Sequence, residues 1–470
     1  MNTLIKHGTL VTASETFESD ILIEDEKIIR IGLNLEADSA QVIDASGKLI
    51  LPGGVDPHVH LDLPMFDTVS SDDHYTGHKA AAFGGTTTVM DFVVLEDKGF
   101  QHSVNLWMKK AEKAAIDYSF HMNLTQFSEK LAKEIPSLMD MGIQTLKVFT
   151  AYNGRLRLAD GDIFKAMQVA KDSGMLVMAH CENGDVIETL VQQALADGHT
   201  DPIWHAWTRP NWGAVDATLR VAGMAADADS SVYIVHMNTG GEVDMLKYAR
   251  ERGVKVMGET CPQYLFFTED VLSRDDGAKW ICSPPLRTEM DNARLWQGLR
   301  DGTLQTIGTD HCPFFLDGTQ PIIYENMEIS IPGKELGKYN FTKIPNGLPG
   351  IQDRMPIMWT YGVKTGNITA NQFVAYTSTN PAKIFGLYPR KGALIPGADA
   401  DIVIWDPEKV LKYGTAYSHQ RTDYNLYEGW ELAGYPEKVF LRGKLIVDGE
   451  QWLGKSGNGQ FLKRSEGEVL

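Results

Sequence analysis

The chain has 470 residues, with 44 Lys and Arg against 62 Asp and Glu, a net charge of −18 and only four Cys. At 43% hydrophobic and 23% charged it is a folded chain, long enough for roughly two to four domains or one large domain with an appendage. Its acidity disfavours nucleic acid and anionic membrane as partners, no run of about 18 apolar residues spans a bilayer, and the absence of a signal-like start or a CxxC pairing points to a reducing, cytoplasmic compartment.

In chain order, residues 1–50 read as short β-branched strands at 4–11, 20–24 and 27–32, separated by polar turns. The middle, 51–384, alternates apolar strands with amphipathic helices. One strand precedes His58, and others fall at 85–91, 118–124, 145–149, 176–180, 232–236, 255–259 and 305–310. Between two of them, Val243, Leu246 and Ala249 recur every three residues over 242–250, one face of a helix. Eight such repeats fit an α/β fold, either a (β/α)8 TIM-type barrel or a doubly wound sheet. No GxGxxG follows the first strand, which favours the barrel. Strand-like segments return at 400–405 and 438–447, so 385–454 joins 1–50 in a small β-sandwich domain built from both chain ends. The tail, 455–470, reads equally as a partner-docking segment or a disordered end.

Metal-capable side chains stand at the C-terminal ends of the barrel strands, the face where such folds gather one site. His58 and His60 close the first strand, and strand alternation points both the same way, so that two imidazoles can share an ion. Lys147 lies in the fourth strand, His180 ends the fifth, His236 the sixth and Asp310 the eighth. Singly, each has a plainer reading: a lone His is more often a hydrogen-bonded core residue, and Lys147 suits a snorkelling edge position. Their recurrence in barrel order outweighs those readings. His121, mid-strand, reads as structural, His311 as a support behind the ligands, and the histidines in turns and helices (His7, His74, His78, His102, His199, His419) as ordinary.

The stretch Leu51-Pro52-Gly53-Gly54-Val55-Asp56-Pro57-His58-Val59-His60 resembles the opening signature of the amidohydrolase superfamily. Gly397-Ala398-Asp399-Ala400-Asp401-Ile402-Val403 is similar to that superfamily's return into its β-sandwich. More local motifs resemble the D-hydantoinase/dihydropyrimidinase family: Leu146-Lys147-Val148-Phe149-Thr150-Ala151-Tyr152, His180-Cys181-Glu182-Asn183-Gly184-Asp185, Gly258-Glu259-Thr260-Cys261-Pro262-Gln263-Tyr264, Ser283-Pro284-Pro285-Leu286-Arg287, Asp310-His311-Cys312-Pro313 and Lys343-Ile344-Pro345-Asn346-Gly347.

The resemblance implies a cyclic amidase with two divalent ions, most often Zn2+. His58, His60 and Asp310 would hold the more buried ion, and His180 and His236 the more exposed one. Lys147, carboxylated by carbon dioxide to N6-carboxylysine, would bridge them, since an ammonium ligates nothing. A hydroxide between the metals would attack the ring amide of a small-molecule hydantoin or dihydropyrimidine, leaving an N-carbamoyl amino acid. Tyr152 would stabilise the oxyanion, and Asp310 would carry the proton to the departing nitrogen. The main chains of Ser283 and Asn346 would hold the ring, and Leu63, Met65, Phe149 and Leu156 would face its substituent. Relatives that open dihydroorotate typically carry Arg where this chain has Asp62, which favours uncharged rings. Arg155 and Arg157 depart from the pattern, either as solvated loop charges or as contacts for polar substituents. The connection over 314–339 is longer than the family's and touches substrate preference, not the metals. Family members are usually homotetramers. An allantoinase-like activity, or a non-catalytic role on the same scaffold, are the alternatives that the resemblance leaves.

Overall fold

The computed structural model describes residues 2–65 and 67–470. The N-terminal strands are β1 (Thr3–Val11), β2 (Thr16–Glu24), β3 (Lys27–Gly32), β4 (Gln41–Asp44) and β5 (Leu49–Pro52). β1 pairs antiparallel with β2 and parallel with β4 along its first half and β5 along its second. The change of partner follows a register shift between Ile5 and Gly8, where a Cβ would lie 2.3 Å from the Ile50 side chain. Glycine at position 8 lets the two strands meet.

β6 (Gly54–Val59) opens the barrel and is followed by a short hairpin, β7 (Pro64–Met65) and β8 (Thr68–Val69). The barrel continues with β9 (Thr86–Val93), β10 (Asp117–Asn123), β11 (Thr145–Phe149), β12 (Leu176–His180), β13 (Val232–Ile234), β14 (Val256–Thr260) and β15 (Thr306–Ile307). These eight strands are parallel and neighbour one another in chain order, β6 to β15. A bridge from Val59 to His311 brings the ends together. Beneath it the buried Arg354 guanidinium donates to the carbonyls of Val55 (3.0 Å) and Ile307 (2.9 Å), one on each end strand. The barrel interior is filled by Val55, Met90, Phe92, Met178, Tyr233 and Met257. It is a packed core whose open chemistry lies at the strand ends.

A second hairpin, β16 (Ile322–Tyr324) and β17 (Met327–Ile329), lies within the 314–339 connection. The chain then returns through β18 (Ile402–Lys412), β19 (Glu431–Leu441), β20 (Lys444–Asp448) and β21 (Gln451–Trp452). β18 pairs antiparallel with β5, which makes one nine-stranded, mostly antiparallel sheet from the two chain ends. The sheet curls so that β3 meets the segment before β18, with Ile28 N–H on Ala398 O (3.1 Å) and Ala400 N–H on Glu26 O (2.8 Å). Ile5, Leu10, Ile21, Ile50, Ile402 and Ile404 fill the space it encloses. The sandwich expected from the sequence is thus a single sheet folded over its own core.

The tail packs on its own chain, against the expectation of a disordered end. Leu462 N–H donates to Tyr118 O (2.7 Å) and Arg464 N–H to Gly142 O (3.1 Å), and Leu462 is fully buried against the bottom of the barrel. An apolar residue flanked by main-chain hydrogen bonds docks the tail on its own chain. The helix expected over 242–250 runs Gly240–Arg250 and buries Val243, Leu246 and Ala249. It begins earlier because Thr239 and Glu242 form a reciprocal capping box.

Candidate active site

The thirteen residues expected to hold the ions or the substrate all line one cavity of about 280 Å³ at the C-terminal ends of the strands. Strand pleat alone does not bring them there. His58 lies on β6 and His60 just past it, whereas His236 stands two residues beyond β13 and Asp310 three beyond β15. His236, Asp310 and Tyr152 have φ of 39°, 53° and 70°, a left-handed backbone that non-glycine residues rarely adopt. Held against that cost, they turn their side chains inward where a regular strand would have carried them past the mouth.

One ligand set is compact. The Nε2 atoms of His58 and His60 each lie 3.2 Å from Asp310 Oδ1, and the three ligand atoms fall within 4.8 Å of one another. Protonation in this cluster follows from the supports around it. Glu259 Oε1 accepts the main-chain N–H of His236 (3.1 Å) and lies 2.7 Å from His58 Nδ1, so that Nδ1 carries the hydrogen. Burial holds the His58 imidazole well below its ordinary pKa, and the ring is neutral. Its Nε2 lone pair therefore points at a carboxylate oxygen, and this buried atom has no hydrogen-bond partner. Two electron-rich atoms face to face are unfavourable unless a cation lies between them.

The second set shows the same logic. His180 Nε2 is 2.7 Å from Glu182 Oε2, which leaves Nδ1 as the lone-pair atom, 3.0 Å from His236 Nε2. The His58 and His236 rings stack at 5.4 Å, linking the two sets. Lys147 is 2% exposed, which removes the edge reading, and its Nζ lies 4.9 Å from the Phe92 ring centre. Burial pushes its amine down to about 8. A lysine so placed is ready to be uncharged, the state that adds carbon dioxide. His58, His60 and Asp310 fit a divalent ion, and His180, His236 and Lys147 add further donors in the same cavity.

Around these, Tyr152 packs 5.0 Å from the His180 ring, and burial raises its phenol so that it remains a donor at neutral pH. Asn346 Nδ2 donates to Ser283 Oγ (3.0 Å), which joins the two loops named in the sequence. Leu63, Met65, Phe149 and Leu156 form an apolar part of the wall. Arg155 reaches the lining, while Arg157 turns away to pair with Asp185. His121 is structural, with Nδ1 2.6 Å from Thr145 Oγ1 and Nε2 3.0 Å from Pro57 O. His311 sits behind the ligands, its carbonyl accepting His60 N–H (2.8 Å) and its Nε2 lying 3.1 Å from Asp72.

Four contributors carry no role in the sequence reading: Glu259, Glu182, Asn123 and His205. Glu259 and Glu182 are the carboxylates that set the His tautomers. Their signal was an acid in a buried apolar strand, and an acid two residues after a ligand. Asn123 lines the cavity, and His205 Nε2 lies 3.2 Å from Ser283 Oγ. Nothing in a helical Trp-His-Ala-Trp stretch marks His205 in advance.

Comparison with known proteins agrees with this architecture. A family model described as the amidohydrolase family matches residues 49–446. The chain is 45% identical to a D-hydantoinase of Geobacillus stearothermophilus, over 99% of this chain and 97% of that protein. It is 40% identical to a D-hydantoinase of Streptomyces coelicolor, over 100% and 99%. The structure superposes on a dihydropyrimidinase from Brevibacillus agri with a TM-score of 0.95 at 45% identity, covering 100% of both chains.

Proposed function

The chain belongs to the D-hydantoinase/dihydropyrimidinase family of the amidohydrolase superfamily, and from that premise we propose that it opens 5-substituted hydantoins or dihydropyrimidines to N-carbamoyl amino acids. It is a cyclic amide hydrolase. The observation that supports the substrate reading is one cavity lined by the four imidazoles, Lys147, Asp310, the Tyr152 phenol, Ser283, Asn346 and an apolar wall.

His58, His60 and Asp310 would hold one ion, His180 and His236 the other, with carboxylated Lys147 shared between them. Two divalent ions, zinc being the natural fit to imidazole-rich donors, supply Lewis acidity that acidifies water and polarises an amide carbonyl. The chain's own groups do the rest. The Tyr152 hydroxyl donates to the oxygen that gains charge as the carbonyl becomes tetrahedral. Asp310 accepts the proton of the attacking water at a carboxylate oxygen and returns it to the departing ring nitrogen. The Ser283 and Asn346 main chains hold the ring's N–H and C=O groups in register. Leu63, Met65, Phe149 and Leu156 take an alkyl or aryl substituent, and Asp62 in place of a cation disfavours a ring carboxylate.

The non-catalytic alternative is not favoured, because all six positions that the resemblance assigns to the ions carry residues able to ligate, Lys147 once carboxylated. No helix among the described residues is long and apolar enough to cross a membrane. The family resemblance supports a cytoplasmic homotetramer. Substrate class is tested by assaying hydantoin, an aryl hydantoin, dihydrouracil and allantoin side by side. The expected result is turnover of the first three above allantoin. Preference for allantoin would transfer the chain to that ring amidase instead.

A further inference from the structure

Lys334 begins a short 3-10 turn, Lys334–Gly337, inside the long 314–339 connection, and its side chain is buried. Its Nζ donates to Ile281 O (2.9 Å) and to Pro345 O (3.3 Å). Ile281 lies two residues before Ser283, and Pro345 immediately precedes Asn346. Ile281 O also accepts the Gly347 N–H (3.1 Å), so one carbonyl gathers the amine and the following turn of the second loop. On the cavity side the same loops meet through Asn346 Nδ2 and Ser283 Oγ. The pair is thus tied at two levels, at the cavity and behind it.

We propose that Lys334 is a positioning residue for the substrate ring, setting the separation of the Ser283 and Asn346 main chains from behind; this rests on the cyclic-amidase reading. Among the described residues no carboxylate pairs with its amine, so Lys334 is not held by an ion pair. Burial pushes the amine down to about 7. The two carbonyls accept two of its N–H groups. A methionine would fill the same space without the cost of burying a polar group, so what the amine adds is the tie itself. A planar ring can meet main-chain groups of two separate loops at full hydrogen-bond distance at only one loop separation, so a change in spacing weakens binding.

The test is the kinetics of Lys334→Met and Lys334→Gln in the metal-loaded enzyme, with dihydrouracil and hydantoin as substrates. The tie predicts that Lys334→Met raises KM by roughly tenfold or more while kcat stays within about threefold, the pattern of lost ring binding. Metal content should not change. Lys334→Gln, which keeps an N–H donor on a shorter stem, should fall between, and it carries the comparison if the methionine variant does not fold. Glu335→Ala serves as control. Glu335 accepts the Gly318 and Gly333 N–H groups and braces the same turn without touching either loop carbonyl. It should lower Tm and leave KM unchanged. A KM within twofold of wild type in a folded Lys334 variant, with only Tm reduced, would overturn the proposal. Wild-type protein that opens neither ring would overturn the cyclic-amidase reading, and the role of Lys334 with it.

Discussion

Glu259 shows how much of this site lies one layer behind the ligands. It touches His58 Nδ1, the His236 N–H and the Tyr233 hydroxyl (2.8 Å), so one carboxylate orients a ligand from each set. Burial raises its carboxyl to about 7. Removing such a support typically costs about 10–100-fold in metal affinity or activity. Glu259→Gln should therefore lose metal to a chelator at concentrations that spare the wild type, in a competition titration. Equal retention would deny Glu259 this role. Lys147 makes a pH-dependent claim. Only the uncharged amine adds carbon dioxide, and with its value near 8 that fraction grows as pH rises. In metal-free protein at fixed dissolved carbon dioxide, recarboxylation should speed up about tenfold per pH unit below 8 and level off above it. A rate independent of pH from 6 to 9 would contradict this.

At the scale of elements, strands were legible because their composition is local. β11 and β12 fall where the sequence places them, at 145–149 and 176–180. The strand expected over 305–310 shrinks to Thr306–Ile307. There Gly308 approaches so closely that a Cβ would lie 2.6 Å from Glu259 and 3.1 Å from His58 Cβ, and the backbone then turns left-handed at Asp310. That departure is tertiary, set by residues about 50 and 250 positions away, and no local period records it. The same holds for His205, whose partner Ser283 is 78 residues distant. The candidate ligands were readable because each sits in a short local motif; the carboxylates and loops behind them are joined only by folding.

Across the whole molecule, barrel and terminal sheet are joined by buried charge. Lys391 Nζ lies 2.6 Å from Asp117, 3.0 Å from Asp399 and 2.7 Å from Asp401, and Arg442 pairs with Asp117 as well. Asp117 starts β10, while Asp399 and Asp401 lead into β18. Asp117 Oδ1 also accepts the Gln460 N–H (2.9 Å), which brings the tail into the same knot. Lys391→Met would leave buried carboxylates short of their cation, a change that costs about 3–5 kcal/mol. Denaturant unfolding should show a loss of that size, and a loss below about 1 kcal/mol would mean that the network does not hold the two sheets.

The account turns on metal-dependent opening of a cyclic amide, and one experiment meets it directly: hydantoin hydrolysis and metal content measured on the same sample before chelation, after chelation and after metal is restored. The expected result is about two ions per chain, activity lost with them and regained on their return. Undiminished hydrolysis after verified loss of both ions would contradict it.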